Sequence, residues 1–210
     1  SIYKNLNSIK LDDCSKLTEL RFSDTELTAL PKFSITGCNA LQYVKIYDSI
    51  IEEGAFRDIT WPAGLKRLNI EGSRIKATTL DVAVPDLFIS TTTCGDLAIS
   101  GCNGLKSLWM SLDKGGSISV SRCQALQTLR VGWNMSSLSV TGCPGLTSLT
   151  ARETQMSAFS ASALPSLTDL DLYGNKNLIV DGFDNMKGWV DYLYSRTDNG
   201  IVNYSYYGDW

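Results

Sequence analysis

The stretch that decides the fold is Leu126 to Asn134, which reads LQTLRVGWN. Its pattern, L-x-x-L-x-L followed after two further residues by a short polar side chain, occurs eight times in the 210 residues. The copies begin at Leu17, Leu41, Leu65, Val84, Leu105, Leu126, Leu146 and Leu167. A short period held over most of a chain predicts a stack of similar units rather than one mixed globule.

Each copy contains a strand pattern followed by a turn pattern. The second and third apolar positions alternate with polar residues, as in a half-buried strand. Eight residues after each start lies a short side chain that carries an oxygen: Thr25, Ser49, Ser73, Thr92, Asp113, Asn134, Thr154 and Asn175. Because such side chains bond the backbone amides of turns, we expect them to form a hydrogen-bonded ladder from unit to unit.

A second apolar alternation precedes most copies, as in LAISGCNGL (97–105) and LSVTGCPGL (138–146). It predicts a second short strand in each unit, closed by a turn that contains glycine. The segments between the two strands are too short for a substantial helix. We therefore expect flattened coils of parallel strands rather than a helix-backed horseshoe.

The cysteines follow the same period. Cys14, Cys38, Cys102, Cys123 and Cys143 each lie three residues before a repeat start, so equal phase would place them on one inward row. Free cysteine packs as a small hydrophobic residue, and buried free thiols are the interpretation preferred over disulfides or a metal site. Cys94 is out of phase and is expected to be another core residue.

The segments LTDLDLYGNKNL and LQTLRVGWNMSSL resemble the leucine-rich repeat L-x-x-L-x-L-x-x-N-x-L. SVTGCPGLTSL is similar to the short β-rich repeats of bacterial secreted and surface leucine-rich-repeat proteins, and IEEGAF (51–56) resembles a phrase in their surface-antigen class. The resemblance covers about residues 9–180. It implies a right-handed solenoid of parallel strands, mainly β with minor α, in a protein that is secreted or on a bacterial cell surface after removal of any signal or anchor.

The pattern changes near residue 180, which divides the chain into a solenoid (1–180) and a capping segment (181–210). Asp184 could begin a helix, because Met186, Trp189, Val190 and Leu193 follow at helical spacing. A strand is expected after it, within the aromatic-rich tail. Solenoids need their terminal hydrophobic face covered, so we interpret this segment as a C-terminal cap containing a helix and a strand.

Candidate binding residues come from the positions that point outward between the apolar ones. In a stack these positions align into rows across one sheet face, and Phe88, Trp109 and Arg130 are neighbours in one row, with Leu112 and Trp133 near its end. Exposed tryptophan and arginine are frequent energetic anchors at protein interfaces. The predicted partner-binding residues are Tyr47, Phe88, Trp109, Arg130, Trp133, Arg152 and Tyr173.

Composition narrows the classes of function. The formal net charge is −3, so the chain lacks the basic surface that nucleic-acid binding requires. The chain contains no histidine, which excludes histidine-dependent catalysis and histidine-ligated metal sites. Asp169 and Asp171 share a face, and paired carboxylates can hydrolyse glycosides, but nothing predicts the enclosed pocket that would separate their pKa values. The prediction is a non-enzymatic module without a cofactor that binds a protein partner; the alternatives are a glycan-binding surface protein and a structural spacer.

Overall fold

A computed structural model of the chain describes residues 8–23, 29–172, 175, 178–181 and 203–204. The strands are β1 Ser8–Lys10, β2 Glu19–Ser23, β3 Lys32–Ser34, β4 Tyr43–Tyr47, β5 Ile50–Ile51, β6 Arg67–Glu71, β7 Arg74–Ile75, β8 Asp86–Cys94, β9 Leu97–Ser100, β10 Ser107–Lys114, β11 Ser117–Ser121, β12 Thr128–Trp133, β13 Ser137–Thr141, β14 Ser148–Arg152, β15 Ala158–Ser162, β16 Asp169–Asp171, β17 Ile179–Asp181 and β18 Asn203–Tyr204. The described residues contain no helix.

The strands form a parallel β-solenoid of about eight turns. The first sheet has the order β16-β14-β12-β10-β8-β6-β4-β2, with β5 and β7 beside it. The second sheet has the order β18-β17-β15-β13-β11-β9, and β1 pairs with β3 separately. Each coil therefore contributes one strand to the first sheet and, in most coils, a second strand, as the two apolar alternations predicted.

Neighbouring coils are aligned in phase. Leu108 pairs with Leu87 on one side and Leu129 on the other, and Leu129 pairs in turn with Leu149. In the second sheet Ile118 is registered with Leu97 and Leu138 in the same way. The apolar positions of both strands consequently face one another across the coil and form a single core cluster. The predicted inward and outward rows are confirmed along these strands, with the exception of Leu112 described below.

Most coils turn two corners through residues with a positive φ. At or just after the end of a first-sheet strand these residues are Asp48, Gly72, Trp133 and Glu153, and Thr91 holds the equivalent position within the longer β8. Before the cysteine position they are Asp13, Gly37, Gly101, Arg122, Gly142 and Ala163. A left-handed residue ends the extended run and redirects the backbone, and glycine adopts this conformation without strain.

The predicted polar ladder is confirmed at Ser49, Ser73, Thr92, Thr154 and Asn175, which are the buried polar residues of the described chain. The Ser49 amide donates to Oγ of Ser73 over 3.2 Å. Oδ1 of Asn175 accepts the Thr154 amide at 3.0 Å and its hydroxyl at 2.8 Å. Thr25, the first predicted member, lies outside the described residues.

Asp113 and Asn134 are exposed, so the predicted buried contact is wrong at these two positions. Strand β10 lacks the left-handed corner and continues to Lys114, with a register shift against β8 at Leu112. Leu112 therefore pairs with Thr92 and occupies the buried position itself at 1% exposure, not the outward position predicted for it. The Asn134 side-chain amide, left outside, donates to the carbonyl of Asp113 over 2.9 Å.

The six cysteines are free thiols, and Cys38, Cys102, Cys123 and Cys143 are buried at the predicted phase. Cys14 and Cys94 are half-buried and pack against the core. The hydrogen bond with the Cys123 thiol, together with burial, raises the pKa of Cys102. The hydrogen bond with Cys123 lowers the pKa of Cys143 to about 7. Buried at this phase, the four cysteines serve as compact packing groups.

Of the predicted C-terminal cap, the described residues contain one strand, which continues the second sheet. Strand β18 pairs in parallel with β17. The predicted helix, with Asp184, Met186, Trp189, Val190 and Leu193, lies outside the described residues.

Replacing Asn175 by Ala tests the ladder. Asn175 Nδ2 also donates to the carbonyls of Ala151 and Leu172, so the change leaves a buried amide and two carbonyls without their partner. Since each unpaired buried group costs about 1–3 kcal/mol, the loss of three pairings should lower the free energy of unfolding by at least about 3 kcal/mol. Urea denaturation measures it.

The matched control is Asn134→Ala, the same substitution at the same repeat phase but on an exposed side chain. Its effect should stay within about 0.5 kcal/mol. Equal losses from the two variants would contradict the distinction between buried and exposed ladder positions.

Candidate functional site on the outward face of the first sheet

The aligned strands bring Phe88 and Trp109 together on the outward face. The two residues are registered partners on β8 and β10. Their ring centroids lie 4.0 Å apart with an interplanar angle of 33°. Both are half-buried, because each ring covers part of the other. We call these two residues the aromatic pair.

A fixed cation extends the aromatic pair on one side. Cζ of Arg67 lies 5.8 Å from the centroid of the Phe88 ring. The guanidinium is held by Asp86, whose Oδ2 lies 2.7 Å from both Nε and Nη2 of Arg67. The order along the surface is therefore guanidinium, phenyl ring and indole ring, a cation–π contact continued by an aromatic one.

Sequence reasoning missed Arg67 and Asp86 as members of the site. They occupy the position just before the second apolar residue of their copies, which also points outward. The repeat register shows that these two positions belong to adjacent coils. The opposite charges of Arg67 and Asp86 at equivalent positions of adjacent repeats are the sequence signal that would have predicted their ion pair.

The other charges of this face are mostly neutralised by ion pairs. Glu19 binds both Arg21 and Lys45, the latter at 3.0 Å. The hydrogen bonds from Arg21 and Lys45 lower the pKa of Glu19. Arg152 lies 3.4 Å from Asp171 at the far end.

Arg130 differs from these cations. It is exposed and, among the described residues, makes no ion pair. Strand pairing sets it beside Trp109. The aromatic pair is thus flanked by a clamped guanidinium on one side and by an unpaired one on the other.

The surroundings of the aromatic pair are small. Ser90 and Ser111 are registered neighbours on the same face, and Ser111 pairs with Gly132 on the next strand. A Cβ added at Gly132 would meet no atom within 4 Å. The rings therefore stand beside open space bordered by hydroxyl groups.

Trp133 is the last residue of β12. It is the exposed large hydrophobic residue of the described chain, at 67% exposure, and its φ is +68°. No ring contact joins it to another aromatic residue in the described part of the molecule. Because it is registered with Leu112 rather than with Trp109, it stands apart from the aromatic pair.

The remaining predicted site residues are dispersed. Tyr47 is half-buried on β4, two strands from Phe88 and in a different outward row. Arg152 is engaged with Asp171. Tyr173 lies outside the described residues. The structure thus brings together Phe88, Trp109 and Arg130 from the predicted set and not the others.

The carboxylates considered for glycoside hydrolysis are held by neighbours. Oδ2 of Asp169 accepts the Ser148 hydroxyl at 2.8 Å, and Asp171 pairs with Arg152. Within the described ranges, no group of three or more cysteine or acidic side chains could hold a metal ion. The same ranges contain no helix that is long and apolar enough to span a membrane.

No family model, curated protein or solved structure matches this chain. The class defined by the molecule itself is a parallel β-solenoid repeat protein with an aromatic and cationic patch on one sheet.

The positive φ at Trp133 leads to a stability prediction. A left-handed conformation costs a side-chain-bearing residue about 1–2 kcal/mol, whereas glycine adopts it freely but loses about 0.5–1 kcal/mol more chain entropy on folding. Trp133→Gly should therefore be more stable than Trp133→Ala by up to about 1 kcal/mol. Chemical denaturation of both variants measures the difference, and a Trp133→Ala variant that equals or exceeds Trp133→Gly would contradict the strained corner.

Proposed function

We propose that the coils are leucine-rich repeats and that the protein is a non-catalytic recognition module. It binds a protein partner through the outward face of the first sheet, centred on Phe88, Trp109 and Arg130. The observation that carries this proposal is the aromatic pair, whose ring centroids are 4.0 Å apart on an outward surface. Aromatic and arginine side chains together supply most of the large contributions to binding energy at protein interfaces.

The charge pattern supports a contact surface rather than a solvated one. Four cations of this face have carboxylate partners, whereas Arg130, beside Trp109, has none. An unpaired guanidinium with free donors can bind a carboxylate or a carbonyl group of a partner. The Asp86 clamp keeps Arg67 in place over Phe88, so part of the site is ordered before binding.

Trp133 supports the same conclusion from its backbone. An indole that is 67% exposed in a left-handed conformation contributes little to the core and carries a conformational cost. A structural spacer, the alternative without a ligand, would have no use for this residue at this position. We assign Trp133 to the rim of the binding face.

Glycan binding is the second candidate. The aromatic pair is bordered by the hydroxyls of Ser90 and Ser111, and Gly132 leaves open space beside them. Sugar rings stack their apolar faces on aromatic side chains and bond hydroxyls at the edge, so this surface could also take a glycan. We place the module outside a bacterial cell or on its surface, in accord with the resemblance of its repeats.

Gly132→Leu provides the test of the face. The added side chain enters open space, and no positive φ constrains the backbone there, so folding should be preserved while the surface beside Arg130 is blocked. Quantitative affinity capture from extracts, with a glycan array in parallel, should give ligands that bind the unaltered chain. Gly132→Leu and Trp109→Ala should reduce their retention at least about tenfold, the effect of losing about 1.4 kcal/mol.

Gly104→Leu is the matched control. Gly104 also has no atom within 4 Å of an added Cβ, but it lies in the turn before β10, away from the outward face. Its variant should retain every ligand. Ligands that bind equally to Gly132→Leu, Trp109→Ala and Gly104→Leu would contradict the proposed face.

A further inference from the structure

A second candidate site lies where the first-sheet strands end, beyond the corner that follows the aromatic face. Thr93 on β8 is registered with Arg74 on β7 and with Lys114 on β10. Adjacent parallel strands are about 4.8 Å apart, so a guanidinium-bearing and an ammonium-bearing residue flank a threonine across three neighbouring strands. This alignment exists because β8 and β10 continue past the position where most strands of the sheet stop.

These residues line a groove of about 530 Å³, together with Lys76, Cys94 and Gly95. The volume lies within the range of small-molecule sites. A Cβ added at Gly95 would meet no atom within 4 Å, so the groove is open at that point. Cys94 is half-buried in its wall.

The groove has a positive balance in a chain whose formal net charge is −3. Arg74 and Lys114 are exposed and have no carboxylate partner among the described residues. Lys76 is paired with Glu52 at 3.1 Å. The acidic residue of the lining, Asp96, accepts the Ser117 amide at 2.8 Å.

We propose that this groove binds a sulfate or phosphate group carried by a larger molecule. Arg74 and Lys114 approach the oxyanion from two sides with charge-assisted hydrogen bonds, and the Thr93 hydroxyl donates between them. A single ion would leave most of the groove empty, so the remainder of the ligand extends past Gly95. The groove stands on residues separate from Phe88, Trp109 and Arg130, and its function does not depend on the proposed binding face.

Alkylation of Cys94 reports occupancy of the groove. Burial raises the pKa of the Cys94 thiol, so the reaction with N-ethylmaleimide is followed at mildly alkaline pH and low ionic strength. Cys14, the other half-buried thiol, lies far along the chain and serves as the internal reference. Dextran sulfate and polyphosphate should slow the labelling of Cys94 and not of Cys14, and neutral dextran should slow neither.

The double variant Arg74→Gln with Lys114→Gln should weaken this protection on the order of tenfold or more. Lys66→Gln with Lys106→Gln removes the same charge from exposed lysines elsewhere and should leave the protection unchanged. Gly95→Leu should prevent the polymer from entering. Circular dichroism identifies variants that fail to fold. If the double variant does not fold, Gly95→Leu, which removes no native side chain, tests whether the groove is the binding site.

The outcomes distinguish a free anion from an anionic group on a larger molecule, and they test the groove independently of the proposed binding face. Protection by the polymers with little effect of inorganic sulfate or phosphate supports a group carried by a larger molecule, and protection by the free ions alone overturns that assignment. Equal protection of Cys94 and Cys14, or protection that survives loss of Arg74 and Lys114, overturns the site. Trp109→Ala should leave the protection unchanged, so failure of the sheet-face proposal would not affect this result.

Discussion

The structure depends on the in-phase hydrogen bonding of neighbouring coils. A parallel ladder places equivalent residues side by side, and one residue of slip would exchange the inward and outward rows. Leucines then pack on leucines, cysteines lie beside cysteines, and the short polar side chains bond across coils. No single coil could bury its apolar residues alone, so the stability of each unit comes from contact with its neighbours.

Most of this arrangement was predictable because the period is a one-dimensional property of the sequence. The apolar positions of the two strands, the inward thiols and the alignment of Phe88 with Trp109 all follow from counting residues within a repeat. The corners were less accessible. Asp48, Thr91, Trp133 and Glu153 share a left-handed conformation, yet their side chains have nothing in common that would signal it.

The fifth coil shows why counting alone fails in places. Leu112 lies where other copies have a corner residue, and burial of a leucine is more favourable than burial of Asp113, a side chain that would lose its hydration. The strand therefore continues, the register against β8 shifts, and both Asp113 and Asn134 move to the surface. The extension of β10 also places Lys114 in the lining of the groove. Burial of Leu112 instead of Asp113 thus exposes Asp113 and Asn134 and adds a positive charge to the groove.

The candidate binding face was predictable in its centre and not in its detail. Repeat alignment gives Phe88, Trp109 and Arg130 as neighbours, but the clamp of Asp86 on Arg67 depends on side-chain conformations that repeat counting does not include. Pairing of Arg152 with Asp171 likewise needs coordinates, because a charge on a row has several possible partners. These contacts show that Arg67 and Arg152 are held in ion pairs, whereas Arg130 makes none within the described residues.

The alignment of coils is tested most directly by distances between methyl groups of equivalent leucines. In protein labelled selectively at leucine methyls, nuclear Overhauser effects should join Leu108 to both Leu87 and Leu129, and Leu129 to Leu149. Leu108 and Leu149, two strands apart at about 9.6 Å, should show no direct effect. Effects between Leu108 and Leu149 in the absence of those to Leu87 and Leu129 would contradict the common phase of the repeats.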